Sequence, residues 1–236
     1  MLDGVLNFKK WMSPLIAAVV MATVSSALAG PVLLSSVAAE YADSGTARLS
    51  KKLATRLGYD LEMIYAPFAR RLVLMEEGRI DFAVGLYRLP ERETYIHYVE
   101  PPYKKVAQRH FFLLKNSPHN IRGYEDLKHL KIGTKTGSKY FKRFDQDSRI
   151  KKFQVTTLEQ NFEMLMLGRV DAVICSYKGG FDQARQMGME DRVRCAPYFS
   201  REINPVYVGI SKKSPLMSRK ELMQQILQAL IDAGQL

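Results

Sequence analysis

Short apolar runs alternate with amphipathic stretches along the chain from residue 32 onwards. Runs such as 32–37 and 206–211 are brief and apolar, which is typical of buried strands. In 47–57 leucines recur every four residues, and Gly58 follows them. This is the pattern of an amphipathic helix that ends at a glycine. Strands that alternate with helices predict an α/β fold with mainly parallel sheets flanked by helices.

The same two patterns place the remaining elements. Strands are expected at 32–37, 61–65, 80–84, 106–114, 131–134, 153–156, 170–175, 193–197 and 206–211. Helices are expected at 47–57, 68–77, 139–144, 158–167, 181–187 and 216–233. The polar stretch 85–103 is expected to be a loop.

The chain contains two segments of similar sequence. Residues 74–84 read LMEEGRIDFAV and residues 164–174 read MLMLGRVDAVI. Each is a helix end, a glycine able to adopt the left-handed conformation, and an Arg-Ile/Val-Asp leading into an apolar strand. Two such copies predict two lobes of similar build. A small-molecule cleft would then lie between them, beyond the carboxyl ends of the strands.

The lobe boundaries follow from this division. Lobe one is expected to comprise residues 30–112 with 205–236, and lobe two residues 116–203. The strands that join the lobes, near 111–115 and 203–207, are expected to act as hinges.

The first 29 residues have the pattern of a secretory signal peptide. Two lysines precede an apolar run, and Ala27-Leu28-Ala29 is a small-residue cleavage pattern, so we place the cut after Ala29. A membrane anchor is the alternative, but 11–29 barely reaches spanning length and contains a proline and several hydroxyl residues. No cysteine stands at the cut, so no lipid anchor is expected. The rest of the chain is therefore predicted to be exported.

The composition is that of a globular protein with a basic surface. The chain has 236 residues, 47% of them hydrophobic, and a formal net charge of +11. For an exported chain whose basic residues are dispersed, no nucleic-acid partner is expected, but the charge favours an anionic small ligand. The four histidines lack ligand spacing, so no metal or other cofactor is expected. A disulfide between Cys175 and Cys195 is possible in an oxidising compartment, and the sequence leaves it open.

Two segments contain candidate binding residues. In 130–144 a strand leads to Gly137-Ser138, which would open a helix and offer backbone N–H groups and a hydroxyl to an anion. The alternative is a plain serine N-cap. In 85–103 a strand end is followed by Arg88 and Arg92, and a guanidinium can grip a carboxylate with two parallel hydrogen bonds. The alternative is a solvated arginine pair on a loop.

The run EEGRIDFAVGLYRLPERETYIHYVEPPY resembles the family 3 periplasmic solute-binding proteins, which have the type II periplasmic binding fold. The resemblance continues through DLKHLKIGTKTGSKY, LGRVDAVI and VYVGISKKSP to the C-terminal helix, and so covers nearly the whole exported chain. It implies capture of an amino acid or similar small polar solute for an ABC importer in the membrane. We therefore expect a periplasmic monomer that closes around a carboxylate-bearing ligand.

The resemblance also implies roles for particular residues. Arg92 is similar to the arginine that binds the ligand α-carboxylate, and Gly137 and Ser138 to the pair that cups the same group. Phe68 and Tyr41 are similar to aromatic wall positions. Tyr87 stands in the same segment as Arg92 and is counted with the candidate site.

The chain departs from the family pattern at two of the expected ligand-binding positions. Leu89 stands where the family often has threonine. Ser176 stands where amino-acid binders have an aspartate that pairs with the ligand ammonium. Glu40 could supply the missing carboxylate; otherwise the ligand is an acid without an α-amino group.

Two other functions stay open at this stage. One is an exported dehydratase or lyase on the same fold, with Glu40 or Glu100 as general acid. The sequence shows no paired acid and base at telling positions, so an enzyme is not expected. The other is a sensory solute-binding module that reports to a separate membrane protein.

Overall fold

The computed structural model describes residues 30–236, except for the side chain of Glu40. The predicted signal peptide, residues 1–29, lies outside these described residues. Within them, no helix is both long enough and apolar enough to cross a membrane.

Ten strands and six α-helices are found in the described part of the chain. The strands are β1 (Val32–Val37), β2 (Asp60–Tyr65), β3 (Phe82–Tyr87), β4 (Ile96–Lys104), β5 (His110–Leu114), β6 (Lys131–Lys135), β7 (Lys151–Val155), β8 (Ala172–Cys175), β9 (Val193–Phe199) and β10 (Val206–Ser211). The helices are α1 (Gly45–Leu57), α2 (Phe68–Glu77), α3 (Lys142–Gln146), α4 (Leu158–Met166), α5 (Tyr177–Gln186) and α6 (Lys220–Asp232).

The strands form two five-stranded sheets of the same design. Their orders are β2-β1-β3-β10-β4 and β7-β6-β8-β5-β9. In each sheet the first three strands are parallel, and the fourth is antiparallel to both of its neighbours. Four of the five strands therefore point the same way, as expected, and the two predicted lobes are confirmed.

The antiparallel strand of each sheet has a simple topological cause. The chain crosses from the first sheet to the second between β4 and β5, and it returns between β9 and β10. Both β5 and β10 therefore start next to the gap between the lobes, whereas the parallel strands end there. β5 pairs only with β8 and β9, which are strands of the second sheet. The boundaries given above for the two lobes stay a prediction.

The two similar segments, 74–84 and 164–174, have the same glycine conformation and make equivalent hydrogen bonds. Gly78 and Gly168 have φ of 76° and 65° at the ends of α2 and α4. The Asp81 carboxylate accepts a hydrogen bond from the Leu34 N–H of β1 at 2.7 Å, and the Asp171 carboxylate accepts one from the Lys131 N–H of β6 at 2.7 Å. Each aspartate thus links the start of the central strand of its sheet, β3 or β8, to the parallel neighbour β1 or β6.

Each lobe buries its own apolar core. Helices α1 and α6 pack on the first sheet over side chains such as Leu53, Phe82 and Leu227. In β5, Phe111 and Phe112 point to opposite faces of the second sheet and lie in two separate clusters. Fully apolar strands of this kind need cover on both faces, which the helices supply.

Four sequence predictions are corrected by the structure. The stretch expected to be a loop contains β4, which pairs with β10. β5 begins at His110 rather than 106, and α3 begins at Lys142 rather than 139. The C-terminal helix begins at Lys220, after a short 3-10 turn over Pro215–Arg219. In each case a polar or aromatic segment interrupts or extends the apolar periodicity on which the prediction depended.

Candidate ligand-binding cleft

A cavity of about 210 Å³ lies between the two sheets. Its walls come from the carboxyl ends of β1, β3, β4, β6 and β8, from the starts of α2 and β10, and from the crossover between β4 and β5. This is the edge at which open α/β sheets place their ligands. Tyr41, Phe68, Tyr87, Arg92, Ser138 and Ser176 line it, so the structure brings six of the sequence-predicted site residues together.

Arg92 ends a 3-10 turn that follows β3, and it is 5% exposed. Its Nη2 donates a hydrogen bond to the Gly137 carbonyl oxygen of the other lobe at 2.9 Å. Its Nη1 lies 3.5 Å from the Tyr87 carbonyl oxygen. A guanidinium has five N–H donors, so donors remain for a further acceptor in the cavity.

Phe68 contacts two guanidinium groups. The Cζ atoms of Arg71 and Arg92 each stand 5.5 Å from the centre of its ring. Arg71 is one helical turn after Phe68 in α2 and donates through Nη2 to the Val84 carbonyl oxygen at 3.1 Å. The ring thus holds two buried cations at the cavity wall by cation–π attraction.

Arg109, in the crossover before β5, reaches the other end of Tyr87. Its Nη2 donates to the Tyr87 phenol oxygen at 2.6 Å, and its Cζ lies 5.9 Å from the Tyr140 ring. Burial raises the pKa of Tyr87, while the charge of Arg109 opposes the rise. Among the described residues, the buried Nε of Arg109 has no hydrogen-bond partner.

The turn at Gly137-Ser138 differs from the expected helix start. The Ser138 N–H donates to the Lys135 carbonyl oxygen at 3.1 Å, and α3 starts only at Lys142. Ser138 is therefore not an N-cap, and no helix N-terminus stands at this turn to bind an anion. Gly137 has φ of 74° and presents its carbonyl to Arg92 instead.

Ser176 and Tyr41 both line the cavity. Ser176 is the N-cap of α5, and its Oγ accepts a hydrogen bond from the Gly179 N–H at 3.2 Å. The Lys135 Nζ lies 5.0 Å from the centre of the Tyr41 ring. A larger groove of about 1070 Å³ shares both Tyr41 and Ser176 with the cavity.

Four described candidate residues are absent from the cavity lining, and Gly137 is one of them, although its carbonyl oxygen accepts the hydrogen bond from Arg92. Leu89 is absent from the cavity wall and caps the turn that carries Arg92. Arg88 is exposed and pairs with Glu93 at 2.7 Å and Glu100 at 2.9 Å. Glu100 is thereby an exposed partner of a surface arginine, away from the cavity wall. The side chain of Glu40 lies outside the described part of the structure.

The disulfide that the sequence left open is absent. Cys175 and Cys195 are both free thiols. They lie on β8 and β9, and β5 runs between those strands, which is too far for a bridge. Burial raises the pKa of Cys175 to about 12 and of Cys195 to about 11, so both stay protonated at neutral pH.

Sequence reasoning missed several residues of the cavity wall. The basic ones are Arg71, Lys104, Arg109, Lys135 and Lys139. Arg71 could have been found from its spacing, one turn after the aromatic residue at the start of α2. The others lie in crossovers and strand ends, where a lysine or arginine looks like any solvated charge. Among residues 30–236, no group of His, Cys, Asp and Glu could hold a metal ion.

Comparison with known proteins agrees with this architecture. The profile of the bacterial extracellular solute-binding proteins, family 3, matches residues 45–234. No individual curated protein sequence is significantly similar to the chain.

Solved structures share the fold at low sequence identity. The substrate-binding protein of an amino acid ABC transporter has a TM-score of 0.71 at 18% identity, covering 86% of this chain and 95% of its own. An ancestral arginine-binding protein bound to arginine has a TM-score of 0.71 at 21% identity, covering 88% and 96%. An amino acid ABC transporter substrate-binding protein from Streptococcus pneumoniae bound to L-arginine has a TM-score of 0.70 at 19% identity, covering 86% and 90%.

The two-lobed fold and the cavity between the lobes define a solute-binding protein of the type II periplasmic binding class. The chain belongs to the bacterial extracellular solute-binding proteins, family 3.

Proposed function

We propose that the protein captures a small carboxylate-bearing solute in the periplasm and delivers it, as a monomer, to a membrane ABC permease. The position of Arg92 carries this proposal. Its guanidinium is nearly buried, faces the cavity and contacts both lobes. A ligand held there touches both lobes only in the closed state, and a ligand can favour a state only through such a difference in contacts.

The importer and the compartment are supported by similarity. The family consists of extracellular solute-binding proteins, and the structural relatives above belong to amino acid ABC transporters. The signal-peptide pattern of residues 1–29 is consistent with export. The proposal predicts that the ligand enters with its carboxylate directed at Arg92.

Binding without turnover fits the described wall better than catalysis. Among the described side chains that line the cavity there is no aspartate, glutamate or histidine, so the paired carboxyl or imidazole groups that acid–base catalysis most often uses are not seen there. Glu100, one of the two candidate acids, is exposed and paired with Arg88. We therefore propose that the protein is not an enzyme.

A thermal-shift screen of the purified protein against small carboxylic acids, amino acids and short peptides tests the proposal. A ligand that binds only the native state raises the melting temperature by mass action. We expect at least one compound to do so, to reduce the radius of gyration in solution scattering, and to be recovered with unchanged mass. If no compound raises the melting temperature, the proposal is contradicted; recovery of a compound with altered mass would favour the lyase.

A further inference from the structure

The cavity and the larger groove meet at one boundary. Five residues line both spaces: Tyr41, Thr46, Tyr103, Lys104 and Ser176. From there the groove, of about 1070 Å³, continues between the start of α1 and one face of α5. This boundary therefore decides how far a molecule held in the cavity can extend.

Tyr41 reaches across the boundary from lobe one to lobe two. It ends a short 3-10 turn that follows β1. The Lys135 Nζ, at the end of β6, lies 5.0 Å from the centre of its ring. The phenol end of the ring lies against α5, because a Cβ atom added at Gly179 would stand 3.2 Å from Oη and 3.4 Å from Cε1 of Tyr41. One aromatic side chain of lobe one thus contacts two elements of lobe two.

Gly179 leaves the room for this contact. It lies in the first turn of α5, where Ser176 is the N-cap. Glycine is a poorer helix former than every residue except proline, so a glycine in a helix calls for a structural reason. A Cβ atom at Gly179 would stand 2.7 Å from the Ser176 Oγ as well as close to the Tyr41 phenol. The glycine therefore accommodates both the serine cap and the tyrosine ring.

The two spaces hold molecules of different size. Small-molecule sites commonly measure about 300–1,000 Å³. The cavity, at about 210 Å³, lies below that range, whereas the groove reaches its upper end. With the Tyr41 ring across the boundary, a ligand whose carboxylate lies at Arg92 has to end within the cavity. Without the ring, a longer molecule could continue into the groove.

We propose that Tyr41 is a specificity-determining residue, which limits the length of the ligand by closing the cavity against the groove when the lobes meet. This inference rests on the proposed function and adds a size limit to it. The solute is a short carboxylate that fits within the cavity, with or without an amino group. Arg92 holds its carboxylate, and Tyr41 limits how long the rest of the molecule can be.

Titration calorimetry with three homologous series tests the length limit. The straight-chain amino acids from L-alanine to L-2-aminooctanoate lengthen by one carbon at each step, as do the dicarboxylates from succinate to suberate. Glycine, glycylglycine and triglycine lengthen by one residue. One methylene group in a closed pocket changes binding by about 10–200-fold. We therefore expect the wild type to bind short members of at least one series, with an affinity that falls at least about tenfold at the first member too long for the cavity.

Variants of Tyr41 show whether this residue causes the limit. Tyr41→Ala should join the cavity to the groove, so the long members that the wild type rejects should bind to it at least about tenfold more tightly than to the wild type. Tyr41→Phe keeps a ring across the boundary and should keep the length limit. Val106→Ala is the matched control, because Val106 is exposed and lines the groove but not the cavity. This variant enlarges the groove without opening it into the cavity, and its length limit should equal that of the wild type.

A double-mutant cycle tests the contact between Tyr41 and Gly179. Gly179→Ala should weaken binding of the tightest-binding short acid by about threefold or more, because the added methyl group displaces the phenol. In Tyr41→Leu the side chain keeps an apolar wall but is too short to reach α5, so Gly179→Ala should have a smaller effect there. An equal effect in both backgrounds would mean that the contact is absent from the liganded state, and the inference would be wrong.

The remaining outcomes separate this inference from the proposed function. Equal binding of long and short members to the wild type overturns the inference and leaves the proposed function standing, as does a length limit that persists in Tyr41→Ala. If Tyr41→Ala and Tyr41→Leu bind no acid while Tyr41→Phe does, the ring holds the ligand rather than limiting its length, and the inference is overturned. If no member of the three series binds to the wild type, the inference is also wrong, and the thermal-shift screen decides separately on the proposed function.

Discussion

The Arg92 guanidinium donates a hydrogen bond to the Gly137 carbonyl oxygen at 2.9 Å, and this bond joins one lobe to the other across the cavity. Both residues stand at turns that follow strands, Arg92 after β3 and Gly137 after β6. β3 is the third strand of its sheet and β6 the second strand of the other, so the link joins inner strands of both sheets. A ligand acid at this point adds contacts to an interface that already exists.

Replacing Arg92 by alanine should weaken ligand binding about a hundredfold with little effect on the unliganded fold. Loss of one partner of a buried ion pair costs about 3 kcal/mol, which corresponds to about a hundredfold in affinity. The melting temperature of the unliganded protein should change by less than about 3 °C, because Arg92 contacts the cavity wall rather than an apolar core. Arg92→Lys keeps the charge but not the planar fork, so its affinity should be intermediate. Titration calorimetry with the acid that gives the largest thermal shift measures the affinity of the wild type and of both variants. Wild-type affinity in Arg92→Ala would exclude this residue from the site.

Replacing Gly137 by alanine should hinder closure of the lobes. A Cβ atom at Gly137 would stand 3.3 Å from both the Cα and the Cβ of Ala69 in the opposite lobe. Gly58→Ala is the matched control, because Gly58 has a similar φ of 80° and no atom within 4 Å of the added Cβ.

Both substitutions should lower the free energy of unfolding by about 1 kcal/mol, the cost of a left-handed backbone for alanine. Only Gly137→Ala should weaken ligand binding and increase the radius of gyration of the liganded protein in solution scattering. Equal ligand affinity in the two variants would show that the turn does not limit closure.

Packing between α5 and β5 predicts a stability effect at Gly180. A Cβ atom there would overlap the Phe112 ring, which belongs to the core of lobe two. Gly180→Ala should therefore lower the free energy of unfolding by about 1–3 kcal/mol, although alanine is the better helix former. Gly123→Ala, with no atom within 4 Å of its added Cβ, should stay within about 0.5 kcal/mol of wild type. Urea denaturation compares them, and equal stability of the two variants would mean that Phe112 has room to move.

Acid should destabilise the protein through His110. Its ring stacks on Phe199 with centroids 5.0 Å apart, and burial lowers its pKa. The unfolded chain therefore binds a proton at a higher pH than the folded chain does, so stability falls as the pH drops through about 6.5. Burial also lowers the pKa of His97, which adds to the loss of stability in acid.

The variant His110→Phe keeps an aromatic ring but has no group to titrate. Its free energy of unfolding, measured between about pH 5 and 7, should depend less on pH than that of the wild type. An unchanged pH dependence would assign the effect to other groups.

Much of the fold could be predicted from the sequence because its cores follow apolar periodicity. The bounds of β1, α2 and β10 agree with the predicted ones. The two similar segments that contain Gly78 and Gly168 indicated two lobes. β4 was missed because its residues alternate with prolines and charges, and its place is set by pairing with β10.

The site was predicted in part. Arg92, Phe68 and Ser176 stand in recognisable segments, and the structure places all three at the cavity. Arg109 and Lys135 were not found, because their position depends on how a crossover and a strand end meet in space. Ser138 lines the cavity without capping a helix, since it follows a turn and α3 does not begin until Lys142.

The most direct test is a crystal structure with the acid that raises the melting temperature most. The account predicts a carboxylate of that acid within hydrogen-bonding distance of the Arg92 guanidinium, with residues of both lobes in contact with the ligand. A ligand bound outside the cavity, or held there by one lobe with Arg92 turned away, would contradict it.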